Sequence, residues 1–215
     1  MNAGPRISSY EWAGRRESML CFGPENGPTV VLALPLFEEA NRTRAFGVAI
    51  LRALAARGVG GVLPELPGQG ESEIATEHAT LAELRAAFAA APGTHAAAIR
   101  SGALLLHDHR PSWRLAPQDG PELVRELARV KGASLDGDRV EVAGNLLPPT
   151  LVPDLRTATL ASALPRTVRL SSDARPADRH VDGPPLWRRA EPDSDSAFAQ
   201  MLAADIADWI AACER

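Results

Sequence analysis

Short, uninterrupted apolar runs alternate with longer amphipathic segments in the first half of the chain, and this alternation constrains the fold more than any other feature. Apolar runs occupy residues 29–35, 59–66 and 95–99, as in parallel strands that are covered on both faces. Residues 38–58 and 80–93, which separate them, carry apolar side chains at helical spacing. The pattern predicts an α/β fold with an open, mostly parallel sheet, helices on both faces and the three runs as central neighbours.

The remaining segments show the same two patterns more weakly. Strands are predicted over residues 17–23, 112–117, 139–144, 166–172 and 177–183, and helices over residues 101–109, 121–131, 148–158 and 196–214. The sequence contains no internal repeat, and its length suits one domain. We therefore predict a single domain over residues 1–215.

Charge and cysteine content exclude several classes of function. The net charge of −4 and the isoelectric point near 5.8 provide no general attraction to nucleic acid or to an anionic membrane. Cys21 and Cys213 lie at opposite ends of the chain without metal-ligand spacing, so we predict a reducing, cytoplasmic location, no metal and no cofactor. No apolar run approaches the roughly 18 residues of a transmembrane helix, so no membrane span is expected.

The loop after the second apolar run carries glycines at a characteristic spacing. It reads PELPGQGES over residues 64–72, with Glu65 at its start. This loop resembles the Asp-x-Pro-Gly-x-Gly-x-Ser turn that precedes the nucleophile strand of α/β-hydrolases, and Glu65 stands near the acidic position. One helix and one strand fit between this loop and residue 100, as that fold requires before its nucleophile elbow. The resemblance implies an abbreviated α/β-hydrolase-like fold.

A narrower resemblance extends over most of the chain. The run LPLFEEANRTR is similar to the Pro-(Pro)-Phe-x-Glu-Glu-x-Asn-(Lys/Arg)-x-Arg start of the exosortase A system-associated hydrolases. The matching residues are Pro35, Phe37, Glu38, Glu39, Asn41, Arg42 and Arg44. Residues 98–105, 140–151 and 181–187 resemble three further segments of the second type of that family, in the same order. The resemblance implies a bacterial protein linked with exopolysaccharide and protein-sorting loci.

The turn after the third apolar run is where this fold carries its nucleophile, and that position holds an arginine. The frame Gly-x-Ser-x-Gly corresponds here to Ala98, Ile99, Arg100, Ser101 and Gly102. A guanidinium stays protonated, so Arg100 is neither a nucleophile nor a general base. Ser101, one residue later, is either a displaced nucleophile or a small residue at a helix start.

The base and the acid of a triad have no clear place in the sequence. Hydrolases of this fold carry their histidine after the last strand, near residues 183–187, and this segment contains none. His180 lies just before it and is the candidate base. The other histidines, His78, His95, His107 and His109, are predicted to be structural or solvent-facing. Asp154 and Asp173 follow predicted elements, but nothing in the sequence fixes either one opposite a histidine.

The surroundings of this turn favour binding over covalent chemistry. Backbone amides at Leu36 and Phe37 are expected to face those of Ser101 and Gly102 at a helix start, where the partial positive charge favours anions. The predicted ligand-binding residues are Leu36, Phe37, Asn41, Arg44, Arg100, Ser101 and Gly102. Asn41 and Arg44, one helical turn apart, are expected to face the same way.

Three hypotheses of function follow from these residues. The first is a catalytically degenerate hydrolase that binds a small anionic or acyl ligand, or a protein partner of an exopolysaccharide or exosortase system. The second is an active esterase, thioesterase or acyltransferase that uses Ser101, with His180 as its base. The third is a purely structural partner without a small-molecule site.

Overall fold

A computed structural model describes residues 4–107, 110–137, 140–161 and 165–214. Eight strands form one sheet in the order β1-β2-β4-β3-β5-β6-β9-β10, and β7 and β8 form a separate antiparallel hairpin. The strands of the large sheet are β1 (Arg6–Trp12), β2 (Arg15–Phe22), β3 (Thr29–Ala33), β4 (Gly60–Pro64), β5 (His95–Ile99), β6 (Ser112–Leu115), β9 (Arg166–Leu170) and β10 (Arg179–Val181). The hairpin consists of β7 (Val140–Val142) and β8 (Asn145–Leu147). Strand β2 is antiparallel to both of its neighbours, β1 and β4, and the other described pairs in the large sheet are parallel.

Five helices cover the two faces of the sheet, so the predicted fold class is confirmed. The helices are α1 (Glu38–Ala55), α2 (Leu81–Ala90), α3 (Gly120–Lys131), α4 (Leu151–Thr157) and α5 (Ser196–Cys213). Alternate residues of β3 divide between two cores: Val30 and Leu32 pack with α1 and α5, whereas Val31 and Ala33 pack with α2, α3 and α4. The strand is therefore apolar throughout because both of its faces are buried.

The predicted centre of the sheet is also confirmed. Strand β3 lies between β4 and β5, and its Val30 is opposite Gly61 on one side and His95 on the other. The carboxyl ends of the parallel strands meet at one edge of the sheet, where open α/β sheets bind their ligands. The loops that follow β3, β5, β6, β9 and β10 all lie at this edge, which therefore carries the candidate site.

The structure departs from the sequence predictions at three elements. Strand β1 was not predicted because most of its side chains are exposed, and it pairs with β2 at the edge of the sheet. The predicted strand at residues 139–144 belongs to the β7–β8 hairpin and not to the large sheet. The predicted helix at residues 101–109 is a 3₁₀ turn over Arg100–Leu105, and residues 108 and 109 lie outside the described residues.

The segment between β6 and β9 contains α3, the β7–β8 hairpin and α4. We call residues 120–137 and 140–161 the cap segment. Its apolar side chains, including Leu123 and Leu127, share a core with Leu36 and Phe37 of the loop after β3. The cap segment therefore packs against the edge of the sheet that carries the site. Among the described helices, none combines the length and the apolar content needed to cross a bilayer.

Candidate functional site

The backbone of a nucleophile elbow is present at the end of β5. Arg100 follows the last residue of the strand with a φ of 54°, a left-handed conformation that is an outlier for a large side chain. A Cβ on Gly102 would lie 2.5 Å from the carbonyl oxygen of Leu34, so only glycine fits two residues later. This sharp strand-to-helix turn is the geometry that exposes a nucleophile in hydrolases, and here it carries an arginine.

The hydroxyl of Ser101 is buried and makes a structural hydrogen bond. Its side chain is 0 % exposed, and its Oγ accepts a hydrogen bond of 2.9 Å from the backbone N–H of Leu36. The hydroxyl therefore ties the elbow to the loop after β3. In hydrolases of this fold, an amide of that loop helps to form the oxyanion hole. In this structure, the Leu36 amide is already bonded to Ser101.

The guanidinium of Arg100 is enclosed on three sides. Its Nη2 donates to Oε2 of Glu126 at 2.7 Å, and its Nε lies 3.4 Å from Oε2 of Glu39. Its carbon Cζ lies 5.3 Å from the centre of the Trp187 ring, within the range of a cation–π contact. The side chain of Arg100 is 8 % exposed, so this cation is buried and paired with two carboxylates.

Further groups hold these carboxylates in place. Gln118 lies after β6, and its Nε2 donates to Glu126 at 2.6 Å while its backbone N–H donates to the carbonyl of Arg100 at 3.3 Å. Burial raises the pKa of Glu39, Arg100 lowers it, and the nearby Glu126 raises it again, with a net upward shift. An incoming anion at Arg100 would meet both carboxylates, which argues against the predicted anion site on this guanidinium.

The structure does not place His180 beside the elbow residues. His180 lies on β10 at the sheet edge with an exposed side chain, and its Nε2 is 3.1 Å from the carbonyl oxygen of Arg175. The loop after β10, where a hydrolase carries its histidine, instead brings Trp187 over Arg100. The elbow residue is therefore an arginine, and the described residue of this loop that contacts it is a tryptophan.

The other histidines have positions unrelated to the elbow. The His95 ring packs edge-on against Trp209 with centroids 5.4 Å apart, and His78 is an exposed residue beside Glu77. Nε2 of His107 is 3.2 Å from the carbonyl oxygen of Arg85. His109 lies outside the described residues.

Asp173 follows β9, the strand that precedes the last one, where the acid of a triad is expected. Hydrogen bonds from Arg175 and Arg169 hold the pKa of Asp173 well below its usual range, despite the opposing effect of burial. Asp173 lines a cavity of about 350 Å³ together with Arg100 and Trp187. We call this space the triad cavity because it is lined by Arg100 of the elbow, by Asp173 after β9 and by Trp187 after β10, the places where a triad would be expected from the sequence. Its acid is paired with arginines and not with a histidine.

A second cavity of about 350 Å³ lies between the loop after β3 and the cap segment, and we call it the cap cavity. Leu36, Phe37, Leu123 and Leu127 are among its apolar lining residues. Trp187 and its neighbour Arg188 line both cavities. A ligand in the cap cavity would therefore reach the remodelled elbow through these two side chains.

The predicted residues of α1 divide between different places. Glu39 reaches Arg100, whereas Arg44 forms an ion pair with Glu65. Asn41 and Arg44 line a small cleft beside Glu65, as expected from their spacing, but Arg100 does not line this cleft. The structure therefore brings Leu36, Phe37, Arg100, Ser101 and Gly102 together and leaves Asn41 and Arg44 outside this group.

Sequence reasoning missed Glu126, Gln118 and the role of Trp187. Trp187 belonged to a segment that supported the family resemblance, so its loop was marked but its contact with Arg100 was not. Glu126 is one of several charged residues on an amphipathic helix, and no motif distinguishes it from its neighbours. Within the described residues, no cluster of histidine, cysteine or acidic side chains is arranged to hold a metal ion.

Comparisons with known proteins identify relatives by structure and not by sequence. No family model and no curated protein matches this sequence. The esterase Est1E from Butyrivibrio proteoclasticus, solved with ferulic acid bound, is 14% identical with a TM-score of 0.63, over 95% of this chain and 99% of that one. A putative hydrolase from Agrobacterium vitis S4 is 16% identical with a TM-score of 0.53, over 77% of each chain. At these identities, the likeness shows the fold alone.

Proposed function

We propose that this protein, which has the α/β-hydrolase fold, uses its elbow site to bind a small ligand and does not hydrolyse esters. The ligand class is acyl or anionic, and it occupies the space between the elbow and the cap segment. The residues of the site are Leu36, Phe37, Arg100, Ser101, Gly102 and Trp187. No cofactor is required, because the proposed role involves no chemical step.

The enclosure of Arg100 is the observation that carries this proposal. A guanidinium cannot lose its proton under physiological conditions, so no covalent intermediate forms at the elbow. Two carboxylates and the Trp187 ring hold this guanidinium at the elbow, where a hydrolase would need a serine within reach of a histidine. Arg100, its two carboxylate partners and Trp187 therefore form a rigid surface against which a ligand can bind.

Hydrolysis by Ser101 is the alternative, and its surroundings support it less well. The hydroxyl is buried and already bonded to the Leu36 amide, as described above. A general base must lie within hydrogen-bond reach of the nucleophile, and no contact joins His180 to Ser101 in the part of the chain that the structure describes. Activity would require both groups to leave their present partners.

The association with an exopolysaccharide or exosortase system is a further part of the proposal. Its support is the similarity of residues 35–44 to the start of the exosortase-associated hydrolases, together with the role of Glu39 from that run at the elbow. A protein partner from such a system, in the cytoplasm of a bacterium, is the expected context. The net charge supports neither nucleic acid nor a membrane surface as a partner.

The test is an assay for ester turnover and covalent labelling. We expect the wild type to resist a fluorophosphonate probe and to leave short p-nitrophenyl esters intact, with Ser101→Ala indistinguishable from it. Loss of a single triad residue typically reduces the rate by several orders of magnitude, and here both nucleophile and base are replaced. Turnover or labelling that Ser101→Ala abolishes would establish the alternative and overturn the proposal.

A further inference from the structure

The two cavities beside Trp187 and Arg188 differ in chemical character. About half of the residues that line the cap cavity are aliphatic or aromatic, and most of these come from the loop after β3, from α3 and from the hairpin. The other lining residues are charged or polar, and the glutamates among them, Glu38, Glu39 and Glu126, are each paired with an arginine. An apolar chain suits this space because its burial removes apolar surface from water on both sides.

The triad cavity contains more cations than anions. Arg100, Arg175 and Arg188 line it, with Asp173 as its acidic residue. Arg175 is already paired with Asp173 at 2.8 Å and with Glu122 at 2.7 Å. The guanidinium of Arg188 is exposed, and across the described ranges no hydrogen bond or ion pair reaches it. Arg188 is therefore the cation that remains available to a ligand.

Trp187 supplies an unused hydrogen-bond donor at the same place. The residue is 4 % exposed, and its Nε1 is buried without a hydrogen-bond partner among the residues that the structure describes. A buried donor without an acceptor is costly, and native proteins rarely leave one unpaired. Trp187 lines both cavities, so a ligand whose acceptor oxygen reached this buried N–H would satisfy it.

From these observations, we infer that the ligand is an amphipathic anion whose apolar chain lies in the cap cavity and whose acidic group lies at Trp187 and Arg188. The Nε1 of Trp187 and the guanidinium of Arg188 donate to the oxygens of this group. These two donors belong to residues that line both cavities, and they set the orientation of the chain. A fatty carboxylate and an alkyl phosphate share this chemistry. The inference rests on the proposed binding function.

Calorimetric titration with eight-carbon ligands tests this inference. Octanoate and octyl phosphate represent the two anionic sources, and octanamide is the uncharged match. We expect at least one anion to bind more tightly than octanamide, and the tighter of the two identifies the source. Equal binding of the amide and both anions, or no binding of any of them, would overturn the inference.

Two substitutions separate the contributions of Arg188 and Trp187 to the binding of the acidic group. Arg188→Gln should weaken the favoured anion about tenfold and leave octanamide unchanged, because it removes a charge-assisted hydrogen bond. Trp187→Phe should weaken both ligands several-fold, because each presents an acceptor oxygen to Nε1. Arg189→Gln is the matched control, since Arg189 is the next residue, is paired with Asp193 and lines neither cavity.

Two results separate failure of the inference from failure of the proposed function. Anion binding that is indifferent to Arg188→Gln, without ester turnover, overturns the inference and leaves the binding function standing. Ester turnover dependent on Ser101 overturns the proposed function, and the inference with it.

Discussion

Two buried clusters in this protein combine arginine, carboxylate and tryptophan, and they differ in how completely their polar groups are paired. On the face covered by α1 and α5, the carboxylate of Asp205 accepts hydrogen bonds from Trp113, Arg166 and Arg179, at 2.7–2.9 Å. Asp205 is 3 % exposed. Its carboxylate is the common acceptor for the three side chains. We call this group the Asp205 cluster.

At the elbow, the polar groups are less completely paired. The buried Arg100 is shared by Glu39 and Glu126, and Glu126 also pairs with the exposed Arg129. The indole N–H of Trp187 finds no acceptor among the described residues. The side-chain oxygen of Gln118 is also buried there without a donor from that part of the chain. Complete pairing of the Asp205 cluster stabilises the fold, whereas the unpaired polar groups at the elbow lack this contribution.

The largest expected effect comes from breaking the complete cluster. Asp205→Ala should lower the free energy of unfolding by about 3 kcal/mol, because it leaves the Trp113 N–H unpaired and two arginines without their acceptor. Urea denaturation followed by circular dichroism measures this change. Asp208→Ala, an exposed change on the same helix, should stay within about 0.5 kcal/mol of the wild type. Equal stabilities of the two variants would contradict the interpretation that the fully paired Asp205 cluster stabilises the fold.

A matched pair of tryptophan substitutions tests the comparison directly. Trp113→Phe removes an N–H that donates to Asp205, and Trp187→Phe removes one without a partner in the described structure. Both changes remove a similar volume and leave an aromatic ring, which at position 187 still lies over Arg100, so the main difference between them is the hydrogen bond of Trp113. We expect Trp113→Phe to cost about 1–2 kcal/mol more in unfolding free energy than Trp187→Phe. Chemical denaturation of the two variants in one buffer gives the result, and equal losses would show that Trp187 has a partner.

The smallest expected effect is a difference in pH dependence between the clusters. Burial raises the pKa of Asp205, but hydrogen bonds from Arg166, Trp113 and Arg179 lower it by more than burial raises it. The net result is a pKa lowered to about 2. The stability from Asp205 is therefore complete above its unfolded value of 3.8 and is lost as the pH falls toward about 2. Glu39 has a raised pKa, so the folded state binds more protons and stability decreases as the pH rises above its ordinary 4.5.

Urea unfolding across acidic pH measures these opposite slopes. Asp205→Asn should flatten the loss of stability below about pH 4, since it removes the low-pKa carboxyl. Glu39→Gln should remove the decrease just above pH 4.5, with Glu38→Gln as the neighbouring control. A Glu39→Gln profile parallel to that of the wild type would show that Glu39 does not carry the effect.

Much of the fold is visible in the sequence because local signals and burial agree there. The apolar run of β3 is buried on both faces, and the helix predicted within residues 80–93 begins at a capping box that Thr80 and Glu83 form. Strand β1 escaped prediction because an exposed edge strand has no apolar face along most of its length. Its stability comes from pairing with β2 and from the Tyr10 hydroxyl, which donates to the carbonyl of Glu65 at 2.6 Å.

The sequence predicted only part of the candidate site, for a different physical reason. The sequence places Arg100 at the elbow, since spacing along one chain segment defines that turn. The partners of Arg100 come from α1, from α3 and from the loop after β10, which are far apart in sequence. The spacing of charged residues along a helix does not predict which carboxylate contacts a buried cation. The sequence therefore suggested a guanidinium free to bind an anion, whereas in the structure Arg100 is paired with Glu39 and Glu126.

The left-handed backbone at Arg100 has a consequence for how unknown enzymes are recognised. This conformation costs about 1–2 kcal/mol for a residue with a side chain, and it persists here with a residue that cannot attack a substrate. The packing of Gly102 on Leu34 and the bond from Leu36 to Ser101 impose it, whatever side chain the turn carries. A survey that selects active sites by torsional outliers would select this turn, although the residue in the strained conformation is an arginine. The torsion belongs to the fold of the turn, and the side chains decide which chemistry the turn can support.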